Sequence, residues 1–392
     1  MGGKYSRLNF RRIRETVRSL LENDVFDYSG HSLGIVGIGT PKSIGWGLAG
    51  EVAKQLDGID LWLHDIHPDR ISDCISAGIS NIKSRVSNNP NVADLQDIVE
   101  KTDLVVVCLD ANKEFKERIA KLKKYSKKEI LAQLPKREEL LVGNISPIVE
   151  LAKKFRGYKG NVVMVSNPVD ILAYYFWVYS EMPASKIIGF NPDSVLLEKS
   201  VRKKVSARKE LEKETVTDAF VGGSHSRDMV PLLSQVRING TPFYDFFPGR
   251  KGEELARLIK AEVSKEGTEF LIKFGMYNIT HIPANICEIC ASIYDSQTNE
   301  EGSEDGLVSQ STYISVQNEN MEIPELKTDQ KGNAQIKYSP RGLFIGWPGR
   351  FFNGHFIPKK LDLNMREKTD FIQSYNGLQR ILEGVSRGEL EI

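Results

Sequence analysis

Two residues in the C-terminal half have the chemistry of a proton-transfer pair. His225 lies in the segment Val221-Gly-Gly-Ser-His225-Ser-Arg-Asp-Met-Val-Pro-Leu-Leu-Ser234, where an apolar, β-prone run (Ala219 to Val221) ends in two glycines. An imidazole on a glycine-relaxed strand end is placed to face a cleft and to titrate near neutral pH. Upstream, the segment Gly-Phe-Asn-Pro-Asp193-Ser supplies a carboxylate. A carboxylate that holds an imidazole in one tautomer and stabilises its protonated form makes the histidine an effective general base.

Positioning such a pair requires a framework, and the hydrophobic pattern supplies one. From residue 32 the pattern alternates between strand and helix: strands at Leu33–Ile38, Ile59–His64, Leu104–Leu109, Asn161–Ser166 and Ile187–Phe190, helices at Ser43–Leu56 and Arg137–Phe155. This rhythm predicts an α/β fold with a doubly wound parallel sheet over residues 32–190. The second part, 191–392, reads as an α+β catalytic or substrate domain. It has a helix near Ser194–Ser206, the strand leading to His225, and long helices at about 252–274 and 277–295. A strand resumes at 341–347, and an amphipathic helix closes over 364–388. The polar stretch 297–337 is expected to be an extended loop or hairpin region. No internal repeat is visible.

Residues 1–31 precede the first strand. Leu8, Ile13, Val17, Leu20 and Leu21 fall near helical spacing among Arg7, Arg11, Arg12, Arg14 and Arg18, which predicts a basic amphipathic extension. Packing on the body or on a partner subunit is its simplest role. The start Met1-Gly2-Gly3-Lys4-Tyr5-Ser6 also fits a myristoylation pattern, and an acyl chain beside arginines would give the two signals that membrane contact needs.

The bulk properties narrow the function classes. The 392 residues are 27% charged with a net charge of +1, so no overall field points to nucleic acid. An apolar content of 40% supports a full core. The cysteines Cys74, Cys108, Cys287 and Cys290 do not make a disulfide framework, and a cytoplasmic location is expected. Cys287-Glu-Ile-Cys290 has no second pair to complete a metal site, so no metal is expected. The apolar helix around it places both thiols on one buried face.

Gly37-Ile-Gly39 follows the first strand and Gly45 opens the first helix. A turn of this kind lets backbone approach a pyrophosphate while a helix N-terminus supplies dipole and N–H groups. The spacing departs from the usual dinucleotide fingerprint, because Thr40-Pro-Lys42-Ser43-Ile44 stands where two residues are normal. Lys42 and Ser43 offer charge and a hydroxyl to phosphates, and Ile44 begins the helix. Asp65, at the end of the second strand, is placed to accept from adenosine ribose hydroxyls and to repel a 2′-phosphate, which favours NAD over NADP. His67 and Arg70 just beyond moderate that preference. The phrase Pro-Lys-Ser-Ile-Gly-Trp-Gly also looks like a loop of the enoyl reductases, but the rest of the chain lacks their catalytic motif.

In order along the chain, the glycine loop, Arg137-Glu-Glu-Leu-Leu-Val-Gly-Asn144, Val-Ser-Asn167-Pro168-Val-Asp170, the Asp193 segment and the His225 segment resemble the lactate/malate dehydrogenase family. The C-terminal run Gly346-Trp-Pro-Gly, Asn353-Gly354, Leu361-Asp-Leu-Asn and Ser374 is similar to that family's pattern as well. The resemblance implies a Rossmann-type domain binding NAD and hydride transfer between a 2-hydroxy acid and a 2-oxo acid. His225 would be the base, Asp193 its orienting partner, and Arg137 the group that polarises the substrate carbonyl. Asp110, Asn144 and Asn167 would line the cofactor, with Asn167 also reaching the substrate. The chain would form a homodimer or homotetramer acting on a small-molecule substrate. Apart from the resemblance, the Asn167–Pro168 bond is a candidate cis bond.

Departures from the pattern bear on the substrate. Where the family carries an arginine three residues after the aspartate, to clamp a carboxylate, this chain has Leu196. Arg202 lies too far along the helix to replace it. Arg227, two residues after the histidine, is one compensation. The family's Gly-Glu-His-Gly appears as Gly-Ser224-His225-Ser226. The family's specificity loop, here 112–136, is long and carries Lys113, Lys116, Lys121, Lys123, Lys124, Lys127 and Lys128. Such a run suits either a polyanionic substrate or a solvated helix face. The alternative to a dehydrogenase is a dehydrogenase-fold protein that has lost turnover and serves as an NAD-binding regulatory or interaction module. A related NAD- and metal-dependent glycosidase reading wants a cysteine ligand near Asp193, and none is there.

Overall fold

A computed structural model describes residues 26–27, 30–41, 43–79, 91–110, 137–206, 215–226, 228–274, 281–298, 307–317, 320–328, 334–337 and 342–386. The expected N-terminal amphipathic helix, the acylation pattern and the lysine-rich run 112–136 all lie outside the described residues. Among the described residues no helix is long and apolar enough to cross a membrane.

Six parallel strands build the N-terminal part: β1 (Ser32–Val36), β2 (Asp60–His64), β3 (Asn91–Val92), β4 (Leu104–Val107), β5 (Asn161–Met164) and β6 (Ile187–Gly189). Their order across the sheet is β3-β2-β1-β4-β5-β6. That order places a topological switch point between β1 and β4, where the crevice at the carboxyl ends of the strands receives ligands in doubly wound folds.

β4 shows why the sequence adopts this arrangement. Its Leu-Val-Val-Val run is buried throughout, as a strand covered on both faces requires. Alternate side chains enter different cores. Val105 and Val107 join a cluster with Ile148 of α2 (Arg137–Lys154), Phe155 just after it, and Leu172 and Phe176 of α3 (Val169–Ser180). Leu104 and Val106 join a cluster with Leu48 and Val52 of α1 (Ile44–Gln55) and with Ile286, Cys287, Cys290 and Ile293.

Beyond β6 the sheet continues antiparallel. β7 (Val221–Gly222) pairs with β8 (Val230–Pro231) in a small ribbon, which meets the main sheet through a Gly223–Gly346 bridge. The main sheet itself adds β9 (Val308–Gln317), β10 (Gly342–Phe352) and β11 (His355–Pro358), in the order β6-β9-β10-β11. A third cluster joins α4 (Asp193–Ser206) to α5 (Arg250–Phe274) through Leu197, Val201, Ile259 and Val263. α6 (His281–Thr298) packs on α1, and α7 (Met365–Ser386) closes the chain.

The expectation for 297–337 needs correction. Residues 308–317 are not loop but β9, a central strand paired with β10 over eight register positions. Their polarity disguises them. Ser309, Gln310, Ser311, Thr312 and Ser315 are all buried. Ser309 Oγ accepts from Val221 N–H at 3.2 Å, and Gln310 Oε1 accepts from Asn191 N–H at 3.0 Å. A buried polar strand is tolerable when distant backbone supplies the partners. Glu325–Thr328 and Ala334–Lys337 do form a hairpin, as expected for the rest of that stretch.

Cys287 and Cys290 share the buried face expected of them. Burial pushes the Cys287 and Cys290 thiols well up and raises those of Cys108 and Cys74 to about 12, so none has the thiolate character that reactivity needs.

Candidate active site

His225 stands just past the end of β7, after Gly223, whose φ of 81° turns the chain out of the ribbon. Asp193 is the first residue of α4. The fold brings them together: His225 Nδ1 lies 2.8 Å from Asp193 Oδ2, with the carboxylate side chain 3% exposed and the imidazole 25% exposed. The carboxylate accepts from Nδ1–H, which leaves Nε2 as the ring's proton acceptor.

Each partner is fixed through its own backbone. His225 N–H donates to Asp170 Oδ2 at 2.9 Å, and Asp193 N–H donates to Asn191 Oδ1 at 2.9 Å. Ser224 N–H donates to Ser374 Oγ of α7 at 2.8 Å. Asn167 precedes a cis peptide bond to Pro168, as expected, and its carbonyl accepts from Asn144 Nδ2 of α2 at 2.7 Å.

A second group of predicted residues gathers at the switch point. Gly37 and Gly39 have φ of 90° and 71°, and Gly45 lies so close to the turn that a Cβ there would sit 2.1 Å from Gly37 O. Only glycine permits this approach of α1 to the end of β1. Ser43 is the N-cap of α1 but makes no side-chain cap bond; its hydroxyl lies 2.6 Å from both Ile38 O and Thr40 O, inside the loop. Ile44 opens the helix. Asp65 Oδ2 accepts from Gly39 N–H at 2.8 Å and Oδ1 from His67 N–H at 2.9 Å, with the Arg70 guanidinium 3.5 Å away. Asp65 therefore braces the glycine loop. Asp110 is exposed beyond β4.

No protein-family model matches the chain. In sequence it is similar to an L-lactate dehydrogenase of Mycoplasma pneumoniae, 28% identical over 219 residues, and to a malate dehydrogenase of Picrophilus torridus, 30% identical over 125 residues. These matches cover 53% and 31% of this chain, and 66% and 37% of those relatives. The chain thus spans about a third to two thirds of the curated relatives it matches. Among solved structures, a Cryptosporidium parvum lactate dehydrogenase with lactic acid and nicotinamide adenine dinucleotide superposes with a TM-score of 0.66 at 19% identity, covering 91% of this chain and 98% of that one. A Plasmodium falciparum malate dehydrogenase in complex with NADH gives 0.65 at 18% identity, covering 91% and 99%. The chain has the lactate/malate dehydrogenase fold.

Within the lactate/malate dehydrogenase fold the predicted residues form two groups, the His225–Asp193 pair, tied through Asp170 to the segment of Asn167 and its partner Asn144, and the glycine loop with Asp65. Three predicted residues escape description: Lys42 and Arg227 lie outside the described residues, and Arg137 begins α2 with its side chain outside them. Leu196 is half-buried against the α4–α5 cluster, and Arg202 is held by Glu198 at 2.7 Å. Asp170, Asn191, Ser374 and Gln310 were not singled out as site residues. Asp170 left a signal: it is the one charged residue in the apolar helix Val-Asp-Ile-Leu-Ala-Tyr-Tyr-Phe-Trp-Val-Tyr-Ser.

Proposed function

We propose that this chain is an NAD-dependent oxidoreductase interconverting a 2-hydroxy acid and a 2-oxo acid. The observation that carries the reading is the 2.8 Å contact between His225 Nδ1 and the buried Asp193 carboxylate on a lactate/malate dehydrogenase fold. In the oxidative direction His225 Nε2 takes the hydroxyl proton as the carbon–oxygen double bond forms, and Asp193 stabilises the resulting imidazolium. NAD, when bound, would supply the acceptor for the hydride lost from the C–H carbon. In reduction His225 returns the proton to the carbonyl oxygen. Arg137 is assigned the polarisation of that carbonyl, and Asn167 and Arg227 contact with the substrate.

The glycine loop fits a dinucleotide. Gly45 packs where any Cβ would collide with Gly37 O, and the N-terminus of α1 carries no side-chain cap, so its N–H groups suit a pyrophosphate. Gly37, Gly39, Lys42, Ser43 and Ile44 would surround the phosphates, Asp65 the ribose, and Asp110, Asn144 and Asn167 the nicotinamide side. Residues 32–190 form the cofactor unit in this reading and 191–392 the substrate unit, preceded by the extension 1–31. A homodimer or homotetramer in the cytoplasm completes the proposal.

Leu196 favours a second reading, an NAD-binding module without turnover, because a leucine packed on an apolar cluster offers a substrate carboxylate no cation. One experiment separates the two. Purified protein is assayed for NADH oxidation against pyruvate, oxaloacetate, and bulkier and phosphorylated 2-oxo acids, with NADH binding followed by fluorescence and His225→Asn as control. Turnover lost by about 10²–10⁴-fold in the control, with NADH binding kept, supports the dehydrogenase. Tight NADH binding with no turnover on any acid supports the module.

A further inference from the structure

We infer that Asp170 is a positioning residue for the His225–Asp193 pair, holding the main chain from which the imidazole hangs. This deepens the dehydrogenase reading and rests on it for its kinetic consequence. Asp170 is the second residue of α3 and is 1% exposed. Its Oδ2 accepts from His225 N–H at 2.9 Å, across fifty-five residues of sequence. A carboxylate buried in an apolar helix is costly, and the N-terminal turn of α3 is where the helix dipole offsets that cost.

The geometry gives Asp170 and Asp193 different tasks. Asp193 grips the ring at Nδ1, and Asp170 grips the backbone at the amide. Fixing the main chain at one end and Nδ1 at the other leaves the direction of Nε2 determined. The segment needs such a support. His225 follows Gly223, a residue at positive φ, and the chain leaves the β7–β8 ribbon there. The neighbouring contact, Ser224 N–H to Ser374 Oγ, holds the residue before the histidine but not the histidine itself.

The same carboxylate links the site to the cofactor side. Asp170 lies three residues after Asn167, whose carbonyl accepts from Asn144 of α2. A continuous path therefore runs from α2 through the Asn167–Pro168 turn and the first turn of α3 to the base. Movement at the Asn167 turn reaches the His225 amide through the Asp170 hydrogen bond. Asp170 touches the backbone, so its effect on chemistry is by placement; a misplacement of about 1 Å costs on the order of 10²-fold in rate.

The test uses the full-length protein with histidine labelled in ¹⁵N. The His225 signal is assigned by its disappearance in His225→Asn, and its tautomer is read from two-bond ¹H–¹⁵N spectra, which need no substrate. Asp170→Asn keeps an acceptor of the same reach; it is expected to retain the Nδ1–H tautomer, with kcat within about 3-fold of the parent. Asp170→Ala removes the acceptor; His225 is expected to lose its single tautomer, and kcat to fall roughly 100-fold with KM little changed. An Asp170→Ala protein that melts like the parent and keeps both tautomer and kcat overturns the proposal. So does a folded Asp170→Asn protein that loses both, and this variant decides the matter where Asp170→Ala does not fold. If the parent turns over no 2-oxo acid, the dehydrogenase reading fails separately, and the tautomer spectra still decide the role of Asp170.

Discussion

His225 keeps a quarter of its side chain exposed while its partner carboxylate is almost wholly buried. That asymmetry suits a base: the ring keeps access to solvent, and the group that sets its tautomer is shielded from water, where its hydrogen bond is strongest. Asp193→Asn removes the charge and allows the amide to present its N–H to the ring, which favours the wrong tautomer. We expect turnover to fall by about 10²–10⁴-fold while NADH affinity stays unchanged, as measured by steady-state kinetics beside fluorescence titration. Unchanged kcat in a folded Asp193→Asn protein would remove the pair from the mechanism.

α4 carries Asp193 at its first residue, so its orientation matters to the site. Its start is held by Asn191, and its body is tied to α5 by an ion-pair cluster. Glu262 of α5 receives Lys203 Nζ at 2.6 Å, Lys204 Nζ at 2.9 Å and Ser200 Oγ at 3.1 Å. Led by the Lys203 bond, these contacts hold its carboxyl down from 4.5 to about 2, against an opposing push from partial burial. A depressed carboxyl contributes stability that is complete above its unfolded pKa and disappears as pH falls through its folded one. Glu262→Gln is expected to cost ~1 kcal/mol at neutral pH in urea unfolding, a figure discounted for the partly exposed lysines. The gap between parent and variant should be constant above about 4.5 and close on the way down to about 2. A gap that does not narrow below 4.5 would assign the effect to packing.

At the scale of the molecule, one sheet joins the parallel and antiparallel parts. The junction is a single register pair, Gly189 of β6 opposite Ser311 of β9, and a Cβ on Gly189 would come within 2.6 Å of Ser311 Cβ. Gly189 therefore sets how closely the part bearing the glycine loop approaches the part bearing His225. Gly189→Ala must push the strands apart, and overpacking of this kind costs about 1–3 kcal/mol. The parent is expected to unfold in one transition by far-UV circular dichroism and by tryptophan fluorescence alike, since Trp62 and Trp347 lie on strands of the same sheet. Loss of that coincidence in Gly189→Ala would show the junction coupling the two parts; a variant as stable as the parent would show that the junction has room to spare.

Much of this architecture is local, and the sequence alone determined it. The β4 run Leu-Val-Val-Val is apolar at every position because both its faces are covered, and a doubly wound sheet follows from such runs alternating with helices. Gly37, Gly39 and Gly45 declare a tight turn because no other residue tolerates that backbone, and His225 and Asp193 declare acid–base chemistry by residue type. What only the tertiary structure decided depends on groups far apart in the chain. β9 was unreadable as a buried strand, because Ser309 and Gln310 are acceptable in a core only once Val221 and Asn191 donate to them. Asp65 read as a ribose acceptor from its place at a strand end, and only the fold showed that its oxygens also hold the backbone of the loop. Asp170 was one polar residue in an apolar helix until β7 delivered the amide of His225 to it. Burial of a polar group reverses from cost to constraint when its partner arrives, and that partner is fixed by chain topology rather than by neighbouring residues.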